Sequence, residues 1–237
     1  MVYFIVVCFI AEKRAENKDK IFMKETICTI PVNEIFEQTG GCPVCRMKSE
    51  IEQKYVDYIS GAAMMEPSVR KITNKQGFCR RHFDHMINLE GRRLSVSLMI
   101  ESHLAELEKV LGNASKAARM EESCFVCDYI ENHLSRAVDT VFITYRNEPE
   151  FRELFSQQEY LCLPHYGMLI TEGKGRVGKF WGEFCKTSHH LALNKIKSLR
   201  QQLSGFSESF DYRNSGAPMT DESRRSIENS IAFLTGN

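Results

Sequence analysis

The sequence predicts an all-α protein: two related helical modules, each pinned by a Cys3His site, and a long C-terminal helix. Three observations carry this expectation. Apolar residues recur at steps of three and four almost throughout the chain. Two motifs rich in cysteine and histidine each occur twice, in the same order. The residues between them also match, at an offset of 82 positions.

The chain has 237 residues, with 31 Lys+Arg against 31 Asp+Glu, so its formal net charge is zero. A content of 43% hydrophobic and 26% charged residues is that of a globular protein and excludes whole-chain disorder, collagen and one long coiled coil. Zero net charge argues against non-specific attachment to nucleic acid or to anionic membrane. The unusual feature is nine cysteines beside seven histidines.

Taken in order, residues 2–10 (VYFIVVCFI) form an apolar run. It is about half the ~20 residues of a membrane span. No basic segment precedes it and no small-residue cleavage site follows, so it is not an ordinary signal peptide. It is a buried element, an atypical export signal, or sequence upstream of a start at Met23, and MKETICTIPVNEIF favours the last. Without a credible signal the expected location is cytoplasmic, where clustered cysteines are more often ligands than disulfides. Residues 26–32 are the best candidate for an extended piece.

Cys42-Pro43-Val44-Cys45 recurs as Cys124-Phe125-Val126-Cys127. Val56-Asp57, Glu66-Pro67 and Arg70 recur as Val138-Asp139, Glu148-Pro149 and Arg152. After a one-residue insertion, Cys79-Arg80-Arg81-His82-Phe83 aligns with Cys162-Leu163-Pro164-His165-Tyr166. Cysteine and histidine matches alone could be chance; matched Val-Asp, Glu-Pro and Arg at fixed spacing between them make duplication the better account.

Each copy begins with an amphipathic helix. The first has its stripe at Met47, Ile51, Tyr55, Tyr58, Ile59 and Ala62, the second at Cys127, Ile130, Leu134, Val138, Val141 and Tyr145. Pro67 and Pro149 suit first turns of new helices, with Asn147 as a cap for the second. A third helix runs from about 80 to 111, with Ile100, Leu104, Leu107 and Leu111 on one face and Gly91 as an interruption. Its counterpart starts near Pro164 and breaks at Gly173-Lys174-Gly175. A long helix over 177–210 carries Ala192, Ile196, Leu199, Leu203, Phe206 and Phe210 at coiled-coil-like spacing. Thr220 caps a last helix reaching about Leu234. The division expected is an extension at 1–22, modules at 23–111 and 124–212, a small polar linker at 112–123, and a loop and helix at 213–237.

Each copy therefore offers C-x2-C, then 33 or 34 residues, then C-x2-H. Zinc favours four sulfur or nitrogen donors in a tetrahedron. A C-x2-C places two thiolates on one turn, and a distant C-x2-H completes the set by tying two segments together. Both motifs fall where helices start, and helix N-termini favour thiolate over thiol. Cys42, Cys45, Cys79 and His82 are assigned to one site, and Cys124, Cys127, Cys162 and His165 to the other. The cofactor expected is zinc, about two ions per chain at four donors each. Four protein donors leave no place for a reactive water. An iron–sulfur cluster usually takes four thiolates. A thiol oxidoreductase needs a βαβ setting, absent here, and Phe125 replaces the proline of Cys42-Pro43-Val44-Cys45.

Other candidates are weaker. Cys185 and His189, with His190 beside them, read as packing or surface. Cys8 and Cys28 have no partner pattern, and His85, His103 and His133 read as ordinary helix residues. Arg80-Arg81 and Arg92-Arg93 could meet phosphate but read better as a solvated face. Nothing matches a Ser-His-Asp array, a phosphate-binding glycine loop or a dinucleotide fingerprint.

The segments MKETICTIPVNEIFE, GCPVC, MEPSVRKITNKQGFCRRHF, SCFVC, YLCLPHYGMLI and FDYRN resemble, in order, an uncharacterised bacterial family, a domain of unknown function. The resemblance covers residues 23–214, implies that 1–22 lie outside the shared domain, and brings no activity with it. The expectation is a zinc-binding interaction or regulatory protein, with a partner or second copy using the 177–210 helix and no membrane span. A nucleic-acid-binding zinc protein and a thiol-redox protein or enzyme are the alternatives.

Overall fold

The computed structural model describes residues 30–120, 123–210 and 220–236. Among these every regular element is helical, as the periodicity predicts. In chain order they are α1 (Ile30–Glu37), α2 (Pro43–Ser60), a 3₁₀ turn (Ala62–Met65), α3 (Pro67–Gln76), α4 (Arg80–Asn88), α5 (Arg93–Val110) and α6 (Ala114–Arg119). Then follow α7 (Phe125–Asn147), α8 (Pro149–Ser156), α9 (Leu163–Gly173), a 3₁₀ turn (Gly178–Phe180), α10 (Trp181–Glu208), α11 (Asp221–Arg224) and α12 (Ser226–Thr235).

Several boundaries follow from single residues. Pro67 and Pro149 open α3 and α8, where a missing N–H costs nothing. Gly91, at φ 72°, separates α4 from α5. The Thr220 hydroxyl accepts from the Ser223 N–H at 3.2 Å and caps the C-terminal helical segment.

Three local expectations are corrected. Residues 30–32, expected to be extended, start α1; the remainder of that prediction, residues 1–22, Cys8 and Cys28 all lie outside the described residues. The 112–123 linker contains α6, capped by the Asn113 side chain accepting from the Lys116 N–H. Asn147 ends α7, and Glu148 takes the cap position of α8 without a side-chain hydrogen bond.

The described chain divides into two compact units. The mid-chain unit is Lys48–Arg136. The flanking unit joins residues 30–47 to those from Ala137 onward. Each unit therefore draws on both sequence repeats. The mid-chain core gathers Tyr55, Val56, Ile59, Met86, Val96, Met99, Val126 and Ile130. In α5 the buried face is Val96 and Met99, so Leu104 (55% exposed) and Leu111 (67%) of the expected stripe stand at the surface. The flanking core is aromatic: Phe155 has ring neighbours Phe36, Tyr145 and Phe184 at 5.8, 5.3 and 5.0 Å. The three pairs are stacked, edge-on and tilted in turn, and aromatic pairs add ~0.5–1.5 kcal/mol each to their burial.

Candidate metal centres

The eight predicted cysteines and histidines converge in two clusters, one in each unit. The grouping differs from the one expected. In the flanking unit Cys42 and Cys45 meet Cys162 and His165; in the mid-chain unit Cys79 and His82 meet Cys124 and Cys127. The C-x2-C of each repeat is completed by the C-x2-H of the other.

The first helix of each repeat carries the chain away from its C-x2-C. The 18 residues of α2 carry the backbone ~27 Å beyond Cys42 at 1.5 Å per residue. The 10-residue α3 that follows is only ~15 Å long. In the second copy the imbalance is larger, with 23 residues in α7 against eight in α8. The start of each repeat and its own C-x2-H fall in different compact units, and the other repeat supplies the C-x2-H instead.

All four motifs share one local geometry. The Cys42, Cys79, Cys124 and Cys162 carbonyls accept the first helical hydrogen bond, from Arg46, Phe83, Asp128 and Tyr166. These cysteines therefore hold the cap position, with the second donor three residues on. Cys79 and Cys162 have nearly the same backbone angles, φ/ψ −73°/162° and −67°/160°. Neither side chain caps its helix, which leaves the sulfur available to the cluster.

The donor set fits a tetrahedral ion. Bonds of ~2.3 Å to sulfur and ~2.0–2.1 Å to nitrogen imply edges of ~3.8 Å between sulfurs and ~3.6 Å between sulfur and nitrogen. In the flanking cluster Cys45 Sγ is 3.6 Å from Cys162 Sγ. His165 Nδ1 is 3.6, 3.2 and 3.1 Å from the sulfurs of Cys42, Cys45 and Cys162. In the mid-chain cluster Cys79 Sγ is 3.9 Å from Cys127 Sγ. His82 Nδ1 is 3.2, 3.3 and 3.5 Å from Cys79, Cys124 and Cys127. These sulfur separations are far from the ~2.05 Å of a disulfide.

Electrostatics also favour a cation. In the flanking cluster, hydrogen bonds with Cys42 and Cys45, and then burial, hold the Cys162 thiol well above its ordinary range. Burial opposes the charged form of His165, yet Cys42 and Cys45 raise it to about 9. In the mid-chain cluster burial and the adjacent Cys124 push Cys127 up to about 12. Burial acts to raise Cys79 as well, but the His82 backbone N–H and the Cys124 and Cys127 side chains bring it below the usual thiol value. Raised thiols such as Cys162 and Cys127 part with their protons more readily when a positive charge takes the protons' place.

The surroundings of the clusters were not legible in the sequence. In the mid-chain unit Glu52, 8% exposed, places Oε1 3.2 Å from His82 Nε2, a charge contact without a linear hydrogen bond. The same oxygen is 3.7 Å from His85, while Oε2 pairs with Arg81. Burial raises the Glu52 carboxyl, but Arg81, His82 and His85 outweigh it and hold it below its ordinary range. Burial lowers His82, against the pull of Glu52. The second repeat has Leu134 at the corresponding position and no carboxylate to offer. In the flanking unit Arg46 fixes the turn leading into Cys42. Its guanidinium donates to the carbonyls of Ile35, Gln38, Gly40 and Gly41 and to Gln158 Oε1. Gly77, at φ 71°, delivers Cys79, and a Cβ there would stand 2.8 Å from the His103 ring.

Cys185 is half-buried and, with His189, gathers no third donor among the described residues. Arg80 pairs with Asp84 at 2.8 Å, Arg81 with Glu52, and Arg92 with Asp57 at 2.6 Å. Three of the four arginines noted in the sequence thus already face carboxylates. No helix among the described residues is long and apolar enough to cross a membrane.

Comparison with known proteins agrees with the duplication. A family of unknown function, DUF6062, matches residues 23–120 and again 108–237. The chain belongs to this family. It is also 20% identical over 201 residues to an uncharacterized 23.9 kDa protein in the xynA 3' region of Caldicellulosiruptor sp. (strain Rt8B.4), covering 82% of this chain and 95% of that one. No solved structure matches the chain.

Proposed function

We propose that both clusters are structural zinc sites and that this DUF6062 chain is a zinc-stabilised interaction or regulatory protein. The observation that carries the proposal is the gathering of four protein donor atoms in each cluster, all within 4.8 Å of one another. Zinc suits three thiolates and one imidazole better than a harder cation. When bound it supplies the positive charge that the crowded thiols lack. No coordination position remains for substrate or water, so the role is to hold segments together. Thiolate ligands of this kind suit a reducing compartment, the cytoplasm.

An interaction role draws support from apolar surface. On α12, Ile227, Ile231 and Leu234 are 43%, 56% and 55% exposed at steps of four and three. On α10 the predicted stripe is shared: Ala192 and Leu199 are buried, while Ile196 remains 37% exposed. A partner or second copy uses the surface that is left. Elemental analysis of the purified chain tests the metal, with about two zinc ions expected from four donors per site. Light scattering and co-purification test the role. A concentration-independent monomer that brings no partner from its native cells would contradict it.

A further inference from the structure

The two clusters differ in access. In the flanking unit all four donors are 7% exposed or less. Gly236 also lies against them: a Cβ on it would be 3.8 Å from Cys162 Sγ. In the mid-chain unit His82 and Cys124 are buried, but Cys127 is exposed and Cys79 half-exposed. Their sulfurs are 3.9 Å apart.

We propose that the Cys79–Cys127 edge is a modification site for hydroperoxides, at which two zinc thiolates become a disulfide and the ion departs. The proposal rests on the zinc reading above and deepens it by giving the two sites different duties. A metal-bound thiolate is already deprotonated and remains a nucleophile. Cys127 Sγ attacks one oxygen of the peroxide, the O–O bond breaks, and the leaving oxygen takes a proton from solvent as water or alcohol. Cys127 is then a sulfenic acid. Cys79 Sγ attacks that sulfur, the S–O bond breaks, and the hydroxide leaves as water with a second solvent proton. The two sulfurs have lost two electrons and the peroxide has gained them. Only His82 and Cys124 remain to bind zinc, too few for a closed site, and the ion is released. A thiol reductant reverses the disulfide and restores the site. The flanking cluster offers no exposed sulfur to the same reagent.

The test uses the full chain, purified reduced, with its zinc counted first. A preparation without zinc overturns the metal reading itself, whatever peroxide does. With two ions bound, hydrogen peroxide is added and released zinc is followed with a chromophoric chelator. Peptide mass spectrometry after alkylation then locates the oxidised cysteines. The expected result is release of about one ion per chain, set by one site of four donors, together with a Cys79–Cys127 disulfide. Cys42, Cys45 and Cys162 should remain alkylatable after denaturation. Loss of both ions at one rate, loss of neither, or a disulfide elsewhere overturns the proposal. Cys127→His keeps four donors and should bind zinc yet resist peroxide; a variant that binds zinc and still releases it with the parent's kinetics also overturns it. If that variant binds no zinc, the parent's disulfide map decides alone.

Discussion

Glu52 sits against the histidine of one site, and the second repeat has Leu134 in its place. A carboxylate behind a ligating imidazole fixes the ring and strengthens its donation, and its loss typically lowers metal affinity ~10–100-fold. Glu52→Gln should therefore weaken zinc at the mid-chain cluster by about that factor and leave the flanking cluster unchanged. Competition with a chelator of known affinity reads both sites in one sample. Equal weakening of both, or of neither, would remove Glu52 from this role. Gly77 is a second single-residue test. Its positive φ belongs to a region almost restricted to glycine, and the His103 ring fills the space a Cβ would need. Gly77→Ala should destabilise the protein by ~1–3 kcal/mol, measured by thermal melting with zinc present. The sequence named all eight cluster residues because cysteine and histidine at fixed spacing are rare without cause. It could not name Glu52, Arg46 or Gly77, whose roles arise from long-range contacts that no local spacing encodes.

At the scale of elements, the helices were legible because their stripes repeat every three or four residues and their ends carry proline, glycine or threonine. The pairing of motifs was not. Both copies offer the same donor types, so composition cannot tell an own-repeat site from a crossed one; the long-range packing that sets Cys42 in one compact unit and Cys79 in the other decides. The α5 stripe failed for a related reason. Leu104 and Leu111 have the right spacing for a core, but α5 turns Val96 and Met99 inward. One element contact also gives a pH dependence. Burial acts to raise the Glu159 carboxyl, but Lys195 at 2.7 Å and the Gly41 N–H at 2.7 Å hold it below its ordinary value. A depressed carboxyl contributes stability that is complete above its unfolded pKa, near ~4.3, and lost as pH falls through the folded one. Glu159→Gln should thus lower the unfolding free energy at pH 7 by less than ~1 kcal/mol for a half-exposed pair, read by chemical denaturation. The gap from the parent should close below about pH 4. A gap that widens in acid would contradict this.

At the scale of the molecule, each cluster brings together donors from both repeats. Structural zinc contributes ~10–16 kcal/mol of binding free energy in small zinc peptides, comparable to the ~5–15 kcal/mol that holds a whole domain. Removing zinc with a strong chelator should therefore reduce the far-ultraviolet helical signal, and zinc, but not magnesium, should restore it. The central claim is that each ion is shared between repeats, and metal counting on paired variants tests it most directly. Cys42→Ser with Cys162→Ser strikes one cluster and should leave about one zinc ion per chain, while Cys42→Ser with Cys79→Ser strikes both and should leave none, each count following from four donors per closed site. The opposite pattern, one ion retained by the Cys42/Cys79 pair and none by the Cys42/Cys162 pair, would show that each repeat closes on itself.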